Sequence, residues 1–96
     1  MSEKIEINRI RKQIEKVTLE IFNLCGDRFQ LARQLGEIKA TRGIPVENVK
    51  IEQELRSKVL ELSKRQGMNE GFCLNLLQLL LEESKKIQNE IVKSQN

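Results

Sequence analysis

A chain of 96 residues, 39% hydrophobic and 32% charged, has room for one small helix-rich domain, residues 1–96. Three Phe with no Trp or Tyr argue against a sheet protein, and a net charge of +3 with no basic block argues against a nucleic-acid footprint. The absence of His excludes Ser–His and Cys–His nucleophiles, imidazole acid–base chemistry and a structural zinc site, so any chemistry must use carboxylates, Lys, Arg and amides.

The opening stretch, MSEKIEINRIRKQ, has no apolar signal region. It leads into an unusually regular helical pattern. Ile7, Ile10, Ile14, Val17, Ile21, Leu24, Arg28, Leu31, Leu35 and Ile38 alternate spacings of three and four, a seam sustained over about four heptads. Gly43 and Pro45 should end it. A helix of about 37 residues is ~55 Å long, whereas a compact domain of this size is roughly 32 Å across. A break at Gly26 or Gly36 would shorten it, and each Gly costs ~1 kcal/mol against Ala there. Unbroken, the helix outruns its own domain, and the seam calls for a second chain. The expectation is all-α: three helices per chain, a very long first one, and an intertwined helical homodimer.

A second helix is expected from about Asn48 to Gln66, with Glu52, Leu55, Val59 and Leu62 on one face, ended by Gly67. Asn69 then caps a third, running to about Val92. Its most apolar run, FCLNLLQLLL, is too short to span a membrane. Cys25 and Cys73, with no CxxC pattern, read as reduced core residues of a cytoplasmic protein.

Every seam carries polar groups where apolar ones belong. Arg28 interrupts the first, and Lys39, 11 residues on, lies about 20° from it around the helix. Glu52 heads the second. On the third, Leu77 and Leu81 are followed by Ser84, Gln88 and Ile91. One reading is a buried ion pair of Arg28 or Lys39 with Glu52. The other is a shared polar cavity whose two cations, amide and hydroxyl outweigh a single carboxylate and suit a small dianion. Arg11 lies 17 residues before Arg28, about 26 Å along the helix, beyond the reach of one small ligand. In an antiparallel pair of first helices with the dyad near Leu19 and Glu20, however, Arg11 of one chain falls beside Arg28 of the other.

Taken together, IRKQIEKV around Arg11, LCGDRFQLARQLGEIK around Arg28 and Lys39, IPVENVKIEQEL with Glu52, and LLLEESKKIQNE with Ser84 and Gln88 resemble the all-helical class of chorismate mutases over nearly the whole chain. The resemblance implies an entwined homodimer that converts chorismate to prephenate on the shikimate route to aromatic amino acids, with neither cofactor nor metal. It implies that Arg28 and the partner chain's Arg11 hold carboxylates and that Ser84 helps seat one. Lys39 and Gln88 would donate to the ether oxygen, Glu52 would accept from the ring hydroxyl, and Asn48 would take part in binding. The chain departs from the family pattern in having Asn48 for a common acid and Ile51 for a common arginine; Lys50 stands next to Ile51 as a partial substitute. An isochorismate pyruvate lyase-like enzyme on the same fold and a non-catalytic helical dimerisation module are the competing expectations. Neither nucleic acid nor membrane is expected as a partner.

Overall fold

Three helices account for nearly all of the chain in a computed structural model that describes residues 2–95. Helix α1 is Ser2–Arg42, 41 residues that continue through both Gly26 and Gly36. It stops at Gly43, whose φ of +67° is the left-handed conformation that a helix C-terminus favours. The Ile44 amide then reaches back to the Lys39 carbonyl at 2.9 Å. Helix α2 is Val49–Gln66, and Asn48 caps it by accepting the Ile51 amide at 3.1 Å. Gly67, again at φ +67°, closes α2, and the Met68 amide returns to the Ser63 carbonyl at 2.9 Å. Asn69 accepts the Phe72 amide at 2.8 Å and starts α3, Glu70–Ser94.

Helix α3 is the centre of the protomer. It packs against α1 on one side and α2 on the other, while α1 and α2 do not approach each other closely. The residues it buries, Cys73, Leu77, Leu81, Ser84 and Gln88, form one stripe at spacings of three and four. The opening between α1 and α2, floored by the C-terminal half of this stripe, holds the cleft described below.

The seam read from α1 is not the face that meets α3. Only Ala32 and Gly36 of α1 are buried, and they lie roughly 80–120° around the helix from Leu24. Small side chains there let the helices come close. The nine apolar seam residues from Ile7 to Ile38 instead stand between 44% and 66% exposed. Arg28 and Lys39 sit between these two faces, about 40–60° from Leu24, and are half-buried. On α2 the inward stripe also differs at its end. Leu62 is exposed and Ser63 is fully enclosed, its hydroxyl satisfied by the Leu60 carbonyl at 2.9 Å.

The protomer measures 63 × 27 × 14 Å, with a radius of gyration of 17.9 Å. A compact chain of this length has a radius of gyration of about 12–13 Å. The excess is the N-terminal half of α1, which projects beyond α2 and α3 with every residue exposed.

Candidate active site

The cleft between the helices encloses about 290 Å³. Six of the seven site residues expected from sequence line it or touch its lining: Arg28 and Lys39 from α1, Asn48 and Glu52 from the start of α2, and Ser84 and Gln88 from α3. Arg11 does not. It lies on the projecting part of α1, beside Glu6, Ile7 and Ile10, in a separate shallow groove.

Arg28 is tied to α3. One guanidinium nitrogen, Nη1, donates to the Leu80 carbonyl at 3.2 Å and to the Ser84 hydroxyl. Ser84 is buried, so its hydroxyl both fills the α1–α3 contact and fixes the arginine's direction. Two neutral oxygens orient the cation without cancelling its charge.

Lys39 donates to the Val46 carbonyl at 2.8 Å, across the loop that joins α1 to α2. Burial pushes its pKa below the usual lysine value of 10.5, against the opposing pull of the Glu52 charge. The loop carbonyl thus places the ammonium, and the shortage of water around it makes the proton easier to lose.

Glu52, buried at the head of α2, pairs with neither Arg28 nor Lys39. Its Oε1 takes a 3.1 Å ion pair from Lys85 of α3, and the same ammonium meets the exposed Glu47 at 3.4 Å. The hydrogen bond to Glu52 raises the Lys85 pKa. Lys85 lines the cleft; Lys50, the sequence neighbour of Ile51, is exposed and does not. Sequence reasoning missed Lys85 because it sits at the edge of the buried stripe, about 100° around the helix from Ser84 and about 40° from Leu81, and reads as a solvated charge. Only the fold brings it to Glu52, 33 residues away in the chain.

Gln88 is buried beneath Gly36, and its Oε1 has no hydrogen-bond partner among the described residues. A buried, unpartnered side-chain amide is costly and uncommon in a folded protein. Gln88 is also among the residues that line the cleft.

The charged residues lining the cleft are therefore three cations, Arg28, Lys39 and Lys85, against the one carboxylate of Glu52. Among the described residues no carboxylate lies within ion-pair distance of Arg28 or Lys39. Apolar walls from Leu35, Ile51, Leu55 and Leu81 surround these charges and lower the local dielectric. The arrangement has two positive charges in excess, a carboxylate that can accept a hydrogen bond, and a buried glutamine side chain in its lining.

Comparison with known proteins decides the family. Residues 10–89 match the family described as chorismate mutase type II. The chain belongs to that family. It is 29% identical over 88 residues to a chorismate mutase of Methanocaldococcus jannaschii, an alignment that covers 92% of this chain and 89% of the relative. It is also 36% identical over 59 residues to a bifunctional chorismate mutase/prephenate dehydratase of Aquifex aeolicus, covering 62% of this chain and 16% of that protein. The Escherichia coli K12 protein of the same bifunctional name is 24% identical over 84 residues, covering 88% of this chain and 22% of its own length. The chain thus spans most of the archaeal relative and under a quarter of these two bifunctional ones. Family and relatives together support an isomerase, with chorismate mutase activity.

Proposed function

We propose that the cleft binds chorismate and holds it in the folded diaxial conformer that rearranges to prephenate. The observation that carries this reading is the positive charge of Arg28 and Lys39, which no carboxylate among the described residues pairs, in a cleft that the buried Gln88 side chain also lines. Chorismate is a compact dicarboxylate with an ether oxygen and a ring hydroxyl, and it matches that set group for group.

The reaction is an intramolecular pericyclic shift. The ether C–O bond breaks as a C–C bond forms, and no proton, nucleophile or external electron pair is involved. The protein's task is then to select the reactive conformer and to stabilise the negative charge that grows on the ether oxygen. In this reading Arg28, oriented by Ser84, holds one carboxylate. Lys39 and the Gln88 amide donate to the ether oxygen. Glu52 accepts from the ring hydroxyl, and Asn48 adds a contact from the α2 N-terminus.

The second carboxylate falls to the partner's Arg11. The reading includes a homodimer of antiparallel α1 helices, in which each projecting arm completes the other chain's cleft. Two observations support it. The nine apolar seam residues on α1 are all exposed in one protomer, and fully burying such a side chain contributes about 1.5–3 kcal/mol. Arg11 is also too far along α1 to reach its own cleft. A cytoplasmic setting on the shikimate route belongs to the same reading, supported by two unpaired cysteines, Cys25 and Cys73.

The test is to follow loss of the chorismate diene absorbance and to identify the product. The expected result is enzyme-dependent decay that yields prephenate, with isochorismate left intact. Pyruvate release from isochorismate, without prephenate from chorismate, would identify the lyase instead. No decay of chorismate at micromolar protein would reject the mutase, and no pyruvate from isochorismate would reject the lyase.

A further inference from the structure

We propose that Lys85 is a positioning residue for the mutase reaction: its ion pair with Glu52 keeps that buried carboxylate charged and aimed into the cleft. The proposal rests on the mutase reading above and assigns a task to a residue outside the family pattern described from sequence.

The argument starts from Glu52. A carboxylate buried at the head of a helix is costly unless an opposite charge or hydrogen-bond donor meets it. The groups facing Glu52 come from all three helices. From α1, Lys39 acts on it through charge, but its ammonium is held by the Val46 carbonyl. Arg28, elsewhere in the same cleft, is held by Leu80 and Ser84. From the start of α2, Asn48 spends its side-chain oxygen on the helix cap, and Ile51 offers no charge. From α3, Lys85 touches Glu52 at 3.1 Å. It is the one group among the described residues that forms an ion pair with this carboxylate. Glu47 shares the lysine at 3.4 Å but is exposed, so solvent weakens its claim.

The pairing also matters for the substrate. A neutral Glu52 would be a poor acceptor for a ring hydroxyl, and an unpaired one would swing toward Lys39. That would take charge away from the ammonium expected at the ether oxygen. Lys85 therefore serves two ends: it holds Glu52 as an acceptor and leaves Lys39 free.

The experiment combines Lys85→Met and Lys85→Arg with two readouts. The carboxyl carbon of Glu52 is titrated by NMR, assigned by its loss in Glu52→Gln. kcat/KM for chorismate is measured from pH 4 to pH 10. In Lys85→Met the Glu52 carboxyl should titrate about one pH unit or more above its wild-type position. The acid limb of kcat/KM should move up with it, costing about tenfold on the acid side and less at pH 8. Lys85→Arg should restore both. An unmoved Glu52 titration overturns the pairing. A moved titration with an unmoved acid limb overturns the role in the reaction, as does a loss of rate that is uniform in pH. If the wild-type protein does not consume chorismate, the mutase reading fails, and the NMR arm still decides the pairing.

Discussion

A Cβ atom on Gly36 would stand 3.1 Å from the Cα of Gln88. Helices α1 and α3 thus pack tightly at a residue proposed to act on the ether oxygen. The crowding atom is backbone, which cannot swing aside as a side-chain tip could. Gly36→Ala would gain about 1 kcal/mol of helix propensity. It would lose about 1–3 kcal/mol to overpacking. The expected net effect is a fall in stability of about 1 kcal/mol, with kcat/KM falling more steeply because α3 must shift at Gln88. Thermal melts and steady-state kinetics on the same samples check this.

Arg28 gives the opposite pattern. It is half-buried, and its partners are neutral oxygens. Arg28→Met removes a charge that no carboxylate balances, so stability should hold or rise. Catalysis should fall by about 10²–10³ or more. A dimerisation module would show the first effect with nothing to lose; an enzyme shows both.

In the proposed role, Lys39 would set the alkaline limit. The ammonium is the active form, and burial has lowered its pKa from 10.5, so the proton is lost earlier than from an ordinary lysine as pH rises. kcat/KM should be level across neutral pH and decline on the alkaline side below pH 10.5. The neutral amide of Gln88 adds no step between pH 6 and pH 8. Lys39→Gln should abolish the alkaline limb along with most of the activity, a change read from the pH profile of kcat/KM.

A dimer closed over the α1 seam would make stability depend on protein concentration. If two chains bury it, the melting temperature rises as the protein is concentrated. Ile14→Asp, in the middle of the exposed stripe, should yield monomers in sedimentation equilibrium and lower the melting temperature.

Much of this molecule is legible in its sequence, for identifiable reasons. Helix ends follow local chemistry, so Gly43, Gly67, Asn48 and Asn69 mark them within a residue or two. The α3 stripe shows as a period, including its polar members Ser84 and Gln88. The face of α1 that meets α3 does not show, because Ala32 and Gly36 are too small to register as apolar. The larger seam beside them captures the pattern and points elsewhere. Ser63 and Lys85 are hidden for a related reason: their places depend on contacts far apart in the chain. Of the two readings of the polar seam residues, an ion pair of Glu52 with Arg28 or Lys39 does not form, since periodicity shows which residues share a face but not which loop carbonyl or hydroxyl already holds a cation.

The account stands most directly on a cleft completed from two chains, and subunit mixing tests that. Arg11→Ala and Arg28→Ala should each be nearly inactive alone. Unfolded together and refolded as an equal mixture, half of the dimers would be hybrids with one intact site, and chorismate turnover should recover to roughly a quarter of wild type. A mixture that forms hybrids yet stays as inactive as its parents, or an Arg11→Ala protein as active as wild type, would contradict it.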